Sequence, residues 1–520
     1  MIKNIIDLFE QGALKKCPEK IALIEEERSI TFHSLSIYSK KIASILASFV
    51  NYDINKCIGV CCSTGIDILS ADLGIMYSGN HYTNIDMKLP LKKLQMIINN
   101  ITPDLFIVDN EGETYLKQLN YDCKFLNINT ITEETIINYS ALLYKQNIDT
   151  DLMCIMNTSG STGVPKSTVI THRGMIDYAF WAFEAMNFNG DEISGVLPAF
   201  YFDGYLTAFF NCIYNGATFV IAPNKIVAFP SKLAEYFSKH KITFIFWVPS
   251  ILSMFVNGDI LGKYDLSSLK IVCFAGEVFP VPHYKYWKSK IPNAAFINLY
   301  GPIEISVICT YYIVDREIKD DETIPIGKGC KNSDVFLLKE DNTKAKIGEE
   351  GEICIRGSSL SFGYINNFEK TNDVFVQNPL NTKYPEFIYK TGDIGRLDND
   401  ENIIFIGRKD FQIKHMGYRI ELGEIEHFAS NIDGINHVCV LYDKDNKSII
   451  MVYEAENEIS VSNIRNNLLE NIPKYALPTV YKYVKELPRN ANGKIDRQLL
   501  KEIYIQTVKE NKSEQSFRGG

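Results

Sequence analysis

Short runs of β-branched residues alternate with amphipathic segments along most of the chain, and this alternation constrains the fold more than any other feature. The apolar spacing predicts helices over Ser34–Phe49 and Asp67–Met76, and strands over Cys57–Cys62 and Leu105–Val108. Further strands are predicted at Thr218–Ile221, Ile242–Trp247, Ile271–Phe274 and Ala295–Leu299. Because continuous apolar strands that alternate with helices form sheets covered on both faces, we expect an α/β fold with mainly parallel sheets.

The pattern changes from about Ile324, where short strands are separated by Gly, Asn and Asp. This pattern predicts a β-rich subdomain with strands at Asp334–Leu338, Gly351–Arg356 and Ile403–Ile406. After Arg408 the charge density rises, and the periodicity predicts a compact α+β unit. Its predicted elements are helices at Leu422–Ser430 and Ser460–Asn471 and strands at His437–Tyr442 and Ile449–Glu454.

A length of 520 residues is too great for one ordinary domain of roughly 150 residues. We therefore place a boundary at Arg408–Asp410, between a large N-terminal domain of residues 1–408 and a small C-terminal domain of residues 409–520. The polar terminal stretch Lys509–Gly520 is expected to fray.

Composition and charge exclude several classes of protein. A chain that is 46% hydrophobic and 22% charged has enough apolar surface to fold, so a disordered or fibrous protein is excluded. The net charge of −9 suggests neither a nucleic-acid nor an anionic-membrane partner, and no apolar run is long enough to span a membrane. The N-terminus lacks the apolar core of a signal peptide, and the twelve cysteines form no CxxC pair. We expect reduced thiols in a cytoplasmic protein.

The strongest local signal is the segment Asn157–Lys166, which reads NTSGSTGVPK. Its glycines and small hydroxyl residues allow backbone N–H groups to approach a phosphate closely, and Lys166 adds a positive charge. Pro165 stands where the Walker A motif requires its second glycine, and proline cannot donate an N–H, so a P-loop NTPase is disfavoured. The alternative is a solvated Ser/Gly turn.

The longer segment NTSGSTGVPKSTVITH closely resembles the phosphate-binding motif of the adenylate-forming superfamily. That superfamily includes acyl-CoA synthetases, luciferases and the adenylation domains of peptide synthetases. Two residues depart from the usual motif: Ser167 stands where glycine is usual, and Asn157 stands where an aromatic residue is common. Further segments resemble superfamily motifs in the same order: ITFHSL, NLYGPIE, GEICIRGSSLSFGYI, YKTGD, GRKDFQIKHMGYRIELGEIE and LPRNANGKIDR.

The resemblance implies a site for ATP and Mg2+. In the superfamily, the residue at Tyr300 stacks on adenine, that at Glu304 binds Mg2+, and that at Asp393 holds both ribose hydroxyls. The full set of implied ATP-binding residues is Thr158, Ser159, Gly160, Ser161, Thr162, Gly163, Lys166, Gly276, Glu277, Asn298, Tyr300, Gly301, Asp393 and Arg408. Ile303 replaces the usual threonine, so either catalysis is slower or Ser306 compensates.

The resemblance also implies a mobile C-terminal domain. Lys494 matches the catalytic lysine, which acts together with Glu304. Asp410 matches the hinge residue about which the small domain rotates, and Gly417 matches the wall of a tunnel for a pantetheine thiol. No carrier-protein motif follows Lys494, so the expected partner is a separate phosphopantetheinylated carrier protein, or else coenzyme A.

Asp203, in the segment GVLPAFYFDGY, indicates the acyl substrate. Amino-acid-activating members carry an aspartate here that pairs with the α-ammonium group, whereas enzymes that activate simple acids usually lack it. The other implied pocket residues are Gly204, Thr207, Ile251, Cys273, Ala275, Leu299, Val307 and Ile308. None is charged, and the set is similar to tyrosine-activating pockets with a more apolar far end, so we expect an uncharged, aromatic or bulky neutral amino acid.

Three alternatives remain open. D-alanine–carrier protein ligases are resembled by the segments WVPSILSMF, FAGEVFP and FQIKHMGYRIELGEIE. Those enzymes tend to have cysteine where this chain has Ala275, and the smaller alanine enlarges the pocket. A carboxylic acid–CoA ligase is the second alternative. The third is a catalytically silent relative, which Ser167 and Ile303 support and intact Lys494 argues against.

Overall fold

The computed structural model describes residues 2–119, 121–158, 160, 165–490 and 495–506. Contacts divide the chain into two compact units. The large unit comprises Met1–Met87, Ile98–Asn157 and Ser167–Lys409, and the small unit comprises Lys88–Ile97, Thr158–Lys166 and Asp410–Gly520. A core of residues 1–408 with a mobile domain of residues 409–520 stays a prediction. The predicted frayed tail lies outside the described residues.

Strands supply the frame of both units. In chain order they are β1 (Ile21–Glu25), β2 (Arg28–Thr31), β3 (Cys57–Cys61), β4 (His81–Asn84), β5 (Leu105–Val108), β6 (Phe125–Asn127), β7 (Leu152–Thr158), β8 (Lys166–Thr171), β9 (Ile193–Val196), β10 (Thr218–Ile221), β11 (Phe244–Trp247), β12 (Ile271–Ala275), β13 (Ala295–Tyr300), β14 (Thr310–Ile313), β15 (Lys328–Gly329), β16 (Ser333–Leu338), β17 (Glu350–Gly357), β18 (Phe375–Gln377), β19 (Phe387–Leu397), β20 (Ile403–Arg408), β21 (Gln412–His415), β22 (Tyr418–Glu421), β23 (Ile435–Asp443), β24 (Ser448–Ala455) and β25 (Val480–Val484).

Helices connect and cover these strands. They are α1 (Ile5–Gln11), α2 (Ala13–Lys16), α3 (Phe32–Phe49), α4 (Gly65–Tyr77), α5 (Leu91–Ile101), α6 (Asn110–Leu116), α7 (His172–Ala185), α8 (Leu206–Phe210), α9 (Pro230–Lys239), α10 (Pro249–Asn257), α11 (Val281–Lys290), α12 (Phe368–Val374), α13 (Leu422–Ala429), α14 (Val461–Leu469) and α15 (Arg497–Lys501). Thr31, Thr64 and Thr171 cap α3, α4 and α7, because each hydroxyl accepts a bond from a backbone N–H of the first turn. No helix among the described residues has the length and apolarity needed to cross a membrane.

Two largely parallel sheets form the body of the large unit. One has nine strands in the order β15-β14-β13-β12-β11-β9-β10-β1-β2, and its six central strands, from β13 to β1, are parallel. The other has six strands in the order β6-β5-β3-β4-β7-β8, and the pairs among β3 to β7 are parallel. The expected α/β fold with mainly parallel sheets is confirmed.

A third sheet of the large unit is antiparallel, with the order β16-β17-β19-β18 and with β20 paired to β19. Its buried side chains, which include Leu337, Ile353, Ile355 and Tyr389, form a separate core cluster. The predicted β-rich subdomain is therefore present.

The small unit is an α+β structure with its own core. β23 and β24 pair antiparallel, β24 and β25 pair parallel, and β21 and β22 form a separate hairpin. Ile425 of α13, Met451 of β24 and Leu468 of α14 are fully buried in one cluster. The predicted helices Leu422–Ser430 and Ser460–Asn471 correspond to α13 and α14.

Candidate active site

Three polar side chains of the large unit meet where β13 and β20 end beside the middle of β19. The Tyr300 hydroxyl donates to Oδ2 of Asp393 at 2.5 Å, and Nη1 of Arg408 donates to Oδ1 at 2.5 Å. Asp393 and Arg408 are direct partners across β19 and β20, which explains their contact. Burial, then the charge of Asp393, raises the pKa of Tyr300 well above its usual range, so the phenol remains a neutral donor. A carboxylate has about four acceptor sites, so Asp393 retains acceptor capacity for a ribose.

Glu304 lies in a short 3₁₀ helix, Ile303–Ile305, and is fully buried. The Tyr364 hydroxyl donates to its Oε1 at 2.8 Å. Among the described residues there is no group of three His, Cys, Asp or Glu side chains that could hold a metal. Mg2+ is usually bound through one or two carboxylates plus substrate phosphates, so a single hard oxygen donor at Glu304 fits this ion.

The turn after Glu304 has an unusual backbone. Ser306 and Val307 have φ values of 58° and 89°, and positive φ is rare for a β-branched residue. Gly301 permits this turn to approach, because a Cβ at residue 301 would lie 2.3 Å from the Val307 carbonyl oxygen. The Ser306 hydroxyl is buried and donates to the Ser359 carbonyl at 2.9 Å, and its compensation for Ile303 stays a prediction.

Three other residues of the implied ATP set are Glu277 and Asn298, which hydrogen-bond to nearby backbone groups, and Gly276, which has a positive φ. Oε2 of Glu277 accepts from the Ser250 N–H at 2.9 Å, and Nδ2 of Asn298 donates to the Pro325 carbonyl at 2.7 Å. Gly276 has φ of 91°, a conformation suited to glycine, directly after β12. Their role in binding ATP stays a prediction.

The phosphate-loop residues Ser159, Ser161, Thr162 and Gly163 lie outside the described residues, whereas Thr158, Gly160 and Lys166 are described. Oγ1 of Thr158 is buried and has no hydrogen-bond partner within the described chain. Nζ of Lys166 lies 2.8 Å from Oε1 of Glu421, which also accepts from Gln412 at 2.6 Å. A phosphate at Lys166 would therefore compete with Glu421.

The two residues that depart from the usual phosphate motif are hydrogen-bonded to each other. The Ser167 hydroxyl donates to Oδ1 of Asn157 at 2.7 Å and accepts from Nδ2 of Asn100 at 3.0 Å. Nδ2 of Asn157 in turn donates to Thr83 at 3.1 Å. These bonds join the two strand ends that flank the loop, a pairing that the sequence analysis did not predict.

Asp203 begins a 3₁₀ helix, Asp203–Tyr205, that leads directly into α8. Thr207 of α8 is buried and hydrogen-bonds to the hydroxyl of Tyr178 on α7. Burial raises the pKa of Tyr178 well above its usual range, the hydrogen bond with Thr207 lowers it by less, and the neighbouring Cys273 and Asp203 act in the same direction as burial. Tyr178 therefore lies near three predicted pocket residues, and sequence reasoning missed it because it belongs to no motif.

The remaining predicted pocket residues are uncharged. Cys273 and Ala275 are two residues apart on β12, so they face the same side of the sheet, and Ala275 pairs with Leu299 of β13. Leu299, Val307 and Ile308 are buried, whereas Ile251 is partly exposed. A Cβ added at Gly204 would meet nothing within 4 Å, so space remains open beside this residue.

The predicted hinge and tunnel residues lie at the start of the small unit. Oδ1 of Asp410 accepts from the Gln412 N–H at 3.2 Å. Met416 and Gly417 have φ of 52° and 83° and form the two-residue loop between β21 and β22, which agrees with a type I′ turn. The predicted catalytic residue Lys494 lies outside the described residues.

Comparisons with known proteins agree on one family. Residues 9–365 match the family described as AMP-binding enzyme. Gramicidin S synthase 2 of Brevibacillus brevis is 30% identical over 503 residues, which are 96% of this chain but 11% of that protein. Zwittermicin A synthase ZmaJ of Bacillus cereus is 29% identical over 501 residues, which are 95% of this chain and 94% of that protein. The chain thus spans about a tenth of the length of the curated relative first named.

Solved structures share the fold. The Vibrio cholerae adenylation domain AlmE, in complex with glycyl-adenosine-5′-phosphate, superposes with a TM-score of 0.83 at 18% identity, over 97% of this chain and 98% of that one. An NRPS protein containing adenylation and PCP domains superposes with a TM-score of 0.82 at 22% identity, over 96% and 84% of the two chains. The family match covers both parallel sheets and the segments that carry Asp203, Tyr300 and Glu304. The resemblance to the adenylate-forming superfamily is confirmed, and the chain belongs to the AMP-binding enzyme family.

Proposed function

We propose that the protein uses ATP to activate an uncharged amino acid as an aminoacyl-adenylate and transfers it to the phosphopantetheine thiol of a separate carrier protein. The observation that carries this proposal is the placement of Asp203 at the start of a 3₁₀ helix, next to the uncharged residues Thr207 and Tyr178. The α-ammonium group of an amino acid carries the charge opposite to that of the Asp203 carboxylate, so the two groups can form a charge-assisted hydrogen bond.

The chemistry requires two anions to approach each other. A carboxylate oxygen of the substrate attacks the α-phosphorus of ATP, and the bond to the departing pyrophosphate breaks. Charge neutralisation and positioning therefore account for most of the catalysis. Lys494 would bridge the carboxylate and the α-phosphate, and Lys166 with Thr158 would hold the β- and γ-phosphates. Mg2+, when bound to Glu304, supplies further neutralisation of the ATP oxygens.

Tyr300, Asp393 and Arg408 would hold the nucleoside. Asp393 is held in place through both carboxylate oxygens, so it needs little reorganisation to accept the ribose hydroxyls. In the second half-reaction the thiol attacks the adenylate carbonyl, a thioester bond forms, and AMP leaves. We propose that Asp410 is the hinge and Gly417 lines the thiol path in this step.

ATP–pyrophosphate exchange with a panel of amino acids tests the proposal, since exchange reports adenylate formation alone. We expect a response to an aromatic or bulky neutral amino acid. The Asp203→Ala variant should raise the KM for that amino acid at least tenfold, about 1.4 kcal/mol, while the KM for ATP stays within twofold. Asp191→Ala is the matched control, because Asp191 is an exposed aspartate that precedes β9.

The panel also separates the alternatives. A response to D-alanine alone would identify a D-alanine–carrier protein ligase. A response to simple carboxylic acids with no response to amino acids would contradict the proposal and identify a carboxylic acid–CoA ligase.

A further inference from the structure

The buried helix α4 carries an aspartate, Asp72, to which no role has been assigned above. All residues of this helix from Leu69 to Tyr77 are buried, and Asp72 is 0% exposed. Nδ2 of Asn84, at the end of β4, donates to Oδ2 of Asp72 at 3.1 Å, and the Tyr205 hydroxyl lies beside the same carboxyl group. Within the described part of the chain no lysine, arginine or histidine forms an ion pair with Asp72.

These surroundings do not suit a carboxylate anion. A buried charge without a cation carries a large desolvation cost. Burial raises the pKa of Asp72 well above its ordinary value, and hydrogen bonding to Asn84 and Tyr205 lowers it by less.

The hydrogen-bond pattern also favours a protonated Asp72. Oδ1 of Asp72 and Oδ1 of Asn84 are both buried and have no partner among the described residues. Both atoms are acceptors if Asp72 is ionised. A proton on the carboxyl group turns one of its oxygens into an O–H donor. The amide oxygen of Asn84 is an acceptor for a hydrogen bond of this kind.

Asp72, Asn84 and Tyr205 form a cluster whose contacts lie on both sides of Asp203 in the chain. The Asn84 amide that binds Asp72 also donates to the Phe200 carbonyl at 3.1 Å, three residues before Asp203. Tyr205 belongs to the same 3₁₀ helix as Asp203, and its hydroxyl lies 3.2 Å from that of Tyr82. The segment from Phe200 to Tyr205 is thus held at both ends by buried polar groups.

We propose that Asp72, as a neutral carboxylic acid, is a positioning residue that holds the Asp203 segment through Asn84 and Tyr205 in the geometry that binds the substrate ammonium group. The inference rests on the proposed function, because it concerns the same amine-binding aspartate. Asp72 acts through its neighbours and does not contact the substrate. Its loss should therefore change the KM for the amino acid more than the KM for ATP.

Substitutions that differ in hydrogen-bonding capacity test this inference. Asp72→Asn keeps a neutral donor and acceptor, so the amino-acid KM should stay within twofold of wild type. Asp72→Leu removes both and should raise that KM at least tenfold, with the KM for ATP unchanged. Tyr205→Phe deletes one hydroxyl without a large volume change and should raise it about threefold, which keeps the test valid if the leucine variant fails to fold. Asp67→Asn is the control, since Asp67 lies on the same helix but pairs with Arg28 at 3.0 Å.

Infrared difference spectra between wild type and Asp72→Asn measure the protonation directly. We expect a carbonyl band of a protonated carboxyl group at neutral pH in wild type, shifted in 2H2O and absent from the variant. No such band, or a rise in amino-acid KM in Asp72→Asn as large as in Asp72→Leu, would overturn the inference.

The outcomes separate the inference from the proposed function. If Asp203→Ala impairs amino-acid use while Asp72→Leu and Tyr205→Phe do not, the inference is wrong and the function stands. If wild type activates no amino acid, the function is wrong and with it the proposed role in amine binding, whereas the infrared band still decides the charge state of Asp72.

Discussion

Two buried carboxyl groups, one in each unit, are held by different means. In the large unit, Asp72 accepts a hydrogen bond from the neutral amide of Asn84 at 3.1 Å and forms no ion pair with a described residue. In the small unit, Glu424 pairs with Lys93 at 2.5 Å, with side chains only 2% and 7% exposed. Removal of a carboxyl group that is bonded to a neutral donor leaves no buried charge. Removal of the carboxylate of an ion pair leaves its cationic partner buried and unpaired. We therefore expect the stability of the small unit to depend on its intact ion pair.

The largest expected effect separates binding from catalysis. Because the predicted nucleoside contacts lie in the large unit and Lys494 is predicted to act in catalysis, Lys494→Ala should lower kcat for adenylate formation roughly 100- to 1,000-fold without weakening ATP binding. Single-turnover formation of the adenylate and equilibrium ATP binding measure the two quantities. Lys485→Ala, an exposed lysine of the small unit, is the control. A Lys494→Ala protein with wild-type kcat would refute the proposed mechanism.

The buried ion pair of the small unit supplies the next effect. Glu424→Gln leaves Lys93 buried without its partner, so the free energy of unfolding should fall by about 3 kcal/mol in urea titrations. The adjacent pair Lys92–Glu470 is a matched control, because its side chains are 60% and 59% exposed, and Glu470→Gln should cost less than about 1 kcal/mol. The double variant Lys93→Met, Glu424→Leu should recover most of the loss. Equal costs at Glu424 and Glu470 would show that burial does not distinguish the two pairs.

Acid should act on the large unit through two buried histidines. Burial lowers the pKa of His81 and of His172 from 6.5 to about 4. Between pH 6.5 and pH 4 these histidines bind more protons in the unfolded chain than in the folded chain. The free energy of unfolding is therefore unaffected by them above pH 6.5 and decreases as the pH falls toward 4. Each histidine should reduce the free energy of unfolding by about 2 kcal/mol at pH 5 relative to pH 7.

Urea titrations at pH 7 and pH 5 measure this loss. His172→Asn should remove the part of this loss in unfolding free energy that comes from His172, because asparagine does not titrate. The asparagine Oδ1 can replace the ring nitrogen Nδ1, which accepts a hydrogen bond from the Ile5 N–H at 3.4 Å. His33→Asn, at an exposed position of the same unit, controls for the substitution itself. An unchanged difference between the two pH values in His172→Asn would contradict the expectation.

Local pattern was sufficient for many elements of both units. The predicted helix Ser34–Phe49 became α3, Phe32–Phe49, and the predicted strand His437–Tyr442 became β23, Ile435–Asp443. The boundaries moved by a few residues because caps and tertiary pairing, which periodicity does not report, decide where an element ends. Helix α5 was missed altogether.

The candidate site was only partly predictable. Asp393, Glu304 and Asp203 stand in segments whose spacing resembles known motifs, so the sequence indicated them directly. Asp72 and Tyr178 belong to no motif, although an acid within the apolar run ILSADLGIM is a visible signal. Their partners are distant in the chain: Tyr205 lies far from Asp72, and Thr207 is 29 residues from Tyr178.

By itself, the sequence determined the α/β class, the β-rich subdomain and the superfamily, because hydrophobic periodicity and ordered motifs are properties of short segments. The tertiary structure alone decided that Ser167 bonds to Asn157, that Ser306 faces the Ser359 carbonyl, and that Lys166 pairs with Glu421. It also decided that Asp72 lies beside Asn84 and forms no ion pair within the described ranges of the chain. The physical reason is that hydrogen bonding, desolvation and charge pairing depend on distances between side chains that only folding brings together.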